Sequence, residues 1–99
     1  MPREFLSVGP RSLRLPSSRR DGADPYKLQR QIARYGCSLA GMPDVLVYRR
    51  SDGILMISDG VTRASRAAKL VPGIQITVEV LGDLPHQFAR LPTVLEKLP

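Results

Sequence analysis

Asp59, Gly60, Thr62 and Arg63 fall within one five-residue stretch, and Arg66 and Lys69 follow at intervals of three. A carboxylate, a glycine, a hydroxyl and three cations in that order suit the binding of a phosphate. The stretch begins where the apolar run Ile54 to Ile57 stops, and it turns at Asp59-Gly60. A strand that ends in a glycine turn and enters a helix leaves backbone N–H groups free, and the helix dipole favours an anion there. Gly60 gives the turn, and Thr62 offers a hydroxyl donor. Arg63 and Arg66 offer planar forks that match phosphate oxygens, and Lys69 adds charge. For catalysis, Thr62 and Arg63 would stabilise charge and Asp59 would act as acid or base. Asp59 reads equally well as the N-cap of the following helix, and Arg66 as part of a solvated helix face.

Other chemistry has less support. His86 is the single histidine, follows Pro85 and reads as an exposed side chain rather than a base. Cys37 is the single cysteine, so no intramolecular disulfide forms. It follows a helix end, reads as a packed structural residue, and gives no zinc site with one histidine. No metal ligands are assigned. Gln31, Arg34 and Tyr35 are additional candidates because they end near the next loop.

The elements that must hold these residues are few. With 99 residues the chain makes one domain with a modest core. Trp is absent, so aliphatic side chains fill the interior. The net charge of +6 favours nucleic acid, a nucleotide or an acidic partner. Residues 1–22 carry five arginines against Glu4 and Asp21, half of that excess. They show no sustained period and read as a basic linker or arm, although Val8, Leu13 and Leu15 have the character to dock. No apolar run reaches membrane-spanning length and no signal peptide is visible, so no membrane partner is expected.

Residues 24–36 predict a helix, with Asp24 as N-cap, Pro25 at the first position and Gly36 as the stop. Leu28, Ile32 and Tyr35 give it one buried stripe, with Lys27, Arg30, Gln31 and Arg34 on the other faces. Val45 to Arg49 predicts a strand, Asp52-Gly53 a hairpin turn, and Ile54 to Ile57 a strand covered on both faces. A second helix is expected from about Val61 to Leu70. Val61, Ala64, Ala68 and Val71 would face inward, with Thr62, Ser65, Arg66 and Lys69 opposite. Ile74 to Val80 alternates as a half-buried strand, closed by Gly82-Asp83-Leu84-Pro85. Leu91, Val94, Leu95 and Leu98 suit a C-terminal segment, 85–99, docked on the sheet. The fold class is α+β: a small mixed sheet with two principal helices, the core domain spanning 23–84.

The order of elements, Asp59-Gly60-Val61-Thr62-Arg63, the Ala67-Ala68-Lys69-Leu70 segment and the strand from Ile74 to Val80 together resemble the ParB/sulfiredoxin superfamily. The resemblance covers roughly 24–81. Asp24-Pro25-Tyr26, Gln31-Ile32, Arg34-Tyr35-Gly36 and Leu91-Pro92 narrow it to the small ParB-like C-terminal domains of bacterial polymorphic, Rhs-type toxins. That resemblance implies a sulfiredoxin-like fold and a nuclease-like or nucleotide-directed effector. It implies a bound nucleotide, with Mg²⁺ compatible, and a cognate immunity protein as partner. It also implies a bacterial setting, either cytoplasmic or delivered within a secreted toxin. Val61 stands where ParB proteins carry a Glu for nucleotide hydrolysis and sulfiredoxins their catalytic Cys. Gly60, Arg63 and the helix start are the anion-binding parts that survive, and Thr62 keeps a donor. The alternatives are a binding module without chemistry and a partner-binding domain whose site has decayed.

Overall fold

The computed structural model describes residues 2–85 and 90–99. It is an α+β fold in which a four-stranded mixed sheet carries two helices. In chain order these are β1 (Glu4–Val8), α1 (Pro25–Tyr35), β2 (Val45–Arg50), β3 (Leu55–Asp59), α2 (Val61–Leu70) and β4 (Ile76–Leu84). The strand order is β1-β4-β2-β3. β4 pairs antiparallel with β1 and parallel with β2, and β2 and β3 form the antiparallel Asp52-Gly53 hairpin.

Period 2 sets the core face of the sheet. Val45, Val47, Ile57, Ile76, Val78 and Val80 are buried, while Thr77 and Leu81 on the other face of β4 are exposed. Ala64, Ala67 and Ala68 of α2 are buried with them, since a methyl side chain allows close approach. The alternation in β4 continues past the expected stop, because Gly82, Asp83 and Leu84 pair with Tyr48, Arg49 and Arg50 after a register shift. Ile57 alone of the β3 apolar run is fully buried, because β3 is the last strand of the sheet rather than a central one.

The expectation that residues 1–22 are a linker or arm is corrected. Glu4–Val8 is the edge strand β1, and Leu13 and Leu15 are fully buried. Residues 13–15 are hydrogen-bonded on both sides. The Arg14 N–H donates to the Leu55 carbonyl at 3.0 Å, and the Ile57 N–H donates to the Arg14 carbonyl at 2.9 Å. On the other side the Leu15 N–H donates to Pro92 and the Val94 N–H to Leu13, at 2.8 and 2.9 Å. This strip is too short to show a period in sequence, yet it joins β3 to the C-terminal segment. Within that segment Leu91 and Val94 are buried, whereas Leu95 is half exposed rather than packed. His86 lies outside the described residues.

α1 starts where Asp24 accepts from the Tyr26 and Lys27 N–H groups and stops at Gly36, with φ 57°. Its stripe is narrower than expected: Leu28 is buried, Ile32 half-buried and Tyr35 exposed. Cys37 is exposed, not packed, because it sits in the turn after this helix.

Candidate functional site

β3 ends at Asp59 and α2 begins at Val61, so Gly60 makes the whole turn. Its φ of 110° and ψ of 24° lie in the left-handed region that favours glycine. A Cβ there would meet Arg63 Nη2 at 2.9 Å and Val45 Cγ2 at 3.2 Å. Gly60 is itself the N-cap and no side chain caps the helix, so the reading of Asp59 as N-cap is corrected. The Val61, Thr62 and Arg63 N–H groups have no acceptor among the described residues. Free donors at a helix start are what an anion needs.

Arg63 folds back over this turn. Its Nη2 donates to the Asp44 carbonyl at 3.3 Å and approaches Asp59 Oδ2 at 3.4 Å. Asp59 is 69% exposed, so this ion pair is a weak constraint on either side chain. The Arg63 Nε is buried with no hydrogen-bond partner among the described residues.

Arg66 corrects the picture of a solvated phosphate-facing side chain. It is 2% exposed, covered by α1 and the turn that follows it, and its Nη1 donates to the Gly36 and Ser38 carbonyls at 3.0 and 2.6 Å. Ser65 is buried on the same side. Of the helix face expected to meet solvent, Ser65 and Arg66 are therefore covered while Thr62 is half-buried, and Arg66 ties α2 to the end of α1. Lys69 is exposed but sits in the last turn of α2. At 1.5 Å per residue it lies about 10 Å along the axis from the N-terminal turn, so it does not join the phosphate-binding group.

Three concavities surround the start of α2. The first, about 260 Å³, is lined by Arg19, Asp59, Gly60, Thr62 and Arg63. The second, about 210 Å³, lies among Gln31, Tyr35, Met42, Pro43, Arg63 and Arg66. The third, about 400 Å³, lies among Lys27, Arg30, Gln31, Arg34, Tyr35 and Thr62. Arg63 borders the first two, Thr62 the first and third, and Gln31 and Tyr35 the second and third. They form one continuous surface. Arg19, Lys27, Arg30 and Arg34 have no carboxylate partner among the described residues, and Asp59 is the only acid lining the surface.

No family model, curated protein or solved structure matches the chain. The site must therefore be read from its own geometry.

The structure brings Asp59, Gly60, Thr62 and Arg63 together and joins Gln31, Arg34 and Tyr35 to them across the α1–α2 boundary. The guanidinium carbons of Arg34 and Arg66 stand 5.3 and 5.2 Å from the Tyr35 ring centre, which fixes the ring at the junction. Sequence reasoning left Lys27 and Arg30 on a solvated face. Their spacing with Arg34, i, i+3 and i+7, is one helix face and was the available signal. Arg19 was hidden by the linker reading, and no local signal marks it. A further concavity of about 330 Å³ among Arg14, Arg20, Arg90 and Lys97 also holds Asp21 and Glu96 and does not border Gly60. Among the described residues no three of His, Cys, Asp and Glu group as metal ligands, and no helix is long and apolar enough to cross a membrane.

Proposed function

We propose that this domain binds nucleic acid through its phosphates, with one phosphate at the start of α2 and the strand continuing along α1. The observation that carries this is the continuous concave surface at the open α2 N-terminus, where Arg19, Lys27, Arg30, Arg34 and Arg63 face a single acid, Asp59. Lys27 to Arg34 spans about 10 Å of helix axis, longer than one phosphate group needs. This supports a strand over a mononucleotide. The resemblance to ParB-like toxin domains supports an effector role, in which Asp59, beside Arg63, is the acid or base available to act on a bound phosphodiester.

Binding is tested by fluorescence anisotropy with labelled single-stranded RNA and DNA, and with mononucleotides as competitors, over a range of salt. The logarithm of the affinity should fall linearly with log salt, with a slope of about 0.7 per phosphate contacted on a single strand. Lys27→Gln with Arg34→Gln should flatten that slope by about 1.4. Binding that is absent, or indifferent to salt, overturns the reading, and competition by a mononucleotide as strong as by the oligomer narrows it to a nucleotide site. Turnover is tested by incubation with RNA, plasmid and nucleotides with and without Mg²⁺, and by induced expression in a bacterium. Toxicity that survives Asp59→Ala would remove Asp59 from any catalytic role.

A further inference from the structure

The two edges of the sheet are finished differently. At the β3 edge the strip 13–15 takes up the backbone, with the Arg14 N–H on the Leu55 carbonyl and the Ile57 N–H on the Arg14 carbonyl. At the other edge stands β1, which pairs only with β4. Among the described residues no backbone hydrogen bond reaches its outer side. Natural edge strands are guarded by a proline, a lysine, a bulge or a covering segment. β1, Glu4-Phe5-Leu6-Ser7-Val8, holds no proline or lysine, and its register with β4 runs unbroken where the two other strand pairs shift. Its one charged side chain, Glu4, is drawn onto Arg49. Phe5 is left 45% exposed.

The sequence of this strand fits itself. Two copies of β1 running antiparallel about a two-fold axis at Leu6 bring Leu6 opposite Leu6, Phe5 opposite Ser7 and Glu4 opposite Val8 of the other copy. Along an edge strand every second residue points its N–H and C=O outward. Opposed residues here differ by an even number, so the outward groups of one copy meet those of the other. No like charges stand opposite each other. Leu6 lies on the core face, paired with Val78, and Phe5 on the other face, paired with Glu79. The two Phe5 side chains therefore share a face at diagonal positions, within reach of one another. Charge permits the pairing as well. Near β1, Arg3 is paired with Glu79, and Arg49 with Glu4 and Asp83. Gly60 and its cations begin at the β3 end, three strands away. At about 4.8 Å per strand, the two Gly60 turns of such a pair stand on the order of 30 Å apart, well beyond the Debye length of about 8 Å at physiological salt. We infer that β1 is a self-association edge. A second copy of this chain adds its own β1 there, antiparallel, to make one continuous sheet with four strands from each copy. Self-pairing does not depend on what binds at Gly60.

Sedimentation equilibrium of the full chain, from micromolar to millimolar concentration, should show a mass rising from one chain towards two. Phe5→Lys sets two cations on the diagonal positions and removes the aromatic contact, so it should weaken association about tenfold. Phe5 lies outside the core cluster, and a thermal melt checks that the variant is folded. Register is read by oxidative cross-linking in a Cys37→Ser background, which removes the exposed native thiol. Directly opposed residues have Cα atoms about 4.5–5.5 Å apart, within the span of a disulfide. An equal mixture of Phe5→Cys and Ser7→Cys chains should therefore cross-link, while either variant alone, with its thiols on the diagonal, should not. A chain that stays monomeric at every concentration overturns the proposal. So does a dimer indifferent to Phe5→Lys, or one in which Phe5→Cys cross-links with itself as readily as with Ser7→Cys.

Discussion

Gly60→Ala probes the turn on which the site depends, and Gly53→Ala is its built-in control. Both glycines have positive φ, 110° and 85°. An L-residue in the left-handed region costs about 1–2 kcal/mol, so both substitutions carry that term. Gly53 has nothing within 4 Å of an added Cβ, and its cost should stop there. Gly60 differs. Its added methyl would meet Arg63 Nη2 at 2.9 Å and the fully buried Val45 Cγ2 at 3.2 Å. The guanidinium is a flexible end and moves aside, giving up its 3.3 Å bond to the Asp44 carbonyl. Val45 is fixed on the core face of β2 and yields only by a local backbone shift. Losing one hydrogen bond to a charged donor adds about 1.5 kcal/mol or more, for roughly 3 kcal/mol in total. In a domain of this size that corresponds to about 12–15 °C in Tm, against about 5–8 °C for Gly53→Ala. Thermal melts followed by circular dichroism measure both. Equal shifts for the two variants would show that Arg63 and Val45 do not confine the turn, and a Gly60→Ala variant that melts with the wild type would refute the left-handed cap itself.

Three further outcomes follow from the same geometry. Arg66→Ala removes both donors from the Gly36 and Ser38 carbonyls and should cost about 2–4 kcal/mol, read as a fall in denaturation midpoint; a midpoint unchanged from wild type would mean that Arg66 does not tie the helices. Asp52 is held at about 2 by hydrogen bonding to the Arg50 guanidinium, below the ordinary carboxylate value. Its folded pKa is depressed, so its contribution is complete above about pH 4 and is lost as pH falls towards 2. Asp52→Asn should flatten that part of the acid denaturation profile, and an unaltered profile would count against the pair. Cys37 is exposed, so a thiol-specific dye should titrate it fully in the native protein; a reaction that needs denaturant would show it to be covered.

The sequence made the α+β class, α1 with its Asp24 and Gly36 ends, the Asp52-Gly53 hairpin and α2 readable, because each is encoded within a dozen residues by period and cap. What it hid depends on contacts distant in the chain. β1 is five residues with one edge hydrogen-bonded to β4, a pairing of Glu4 with Val80 that no local pattern announces. Leu13 and Leu15 have the character to dock, but where they dock shows only when β3 and the C-terminal segment close on both sides of them. At the site, the glycine turn was legible because left-handed turns select glycine. The fate of Arg66 was not, since helical spacing assigns a residue to a face but does not say that α1 will cover that face.

The fold also decides where the positive charge is displayed. Arg3 is paired with Glu79, Arg49 with Glu4 and Asp83, and Arg50 with Asp52. The carboxylates Glu4, Glu79 and Asp83 are all pulled below their ordinary pKa by these arginines, so the pairs stay ionised at physiological pH and carry no excess positive charge. The cations of the sheet are therefore largely spent within it. Lys27, Arg30 and Arg34 of α1 and Arg19 of the N-terminal segment keep theirs, and they line the same surface as the α2 N-terminus. Beneath that surface Arg66 holds a buried charge with carbonyl partners but no carboxylate among the described residues. A charge with little water around it is poorly screened, and a concave wall concentrates its field outward. The buried guanidinium, the helix dipole and the α1 stripe thus act with one sign on one opening. That makes Arg66 both the tie between the helices and a source of the potential that would draw a polyanion to Gly60.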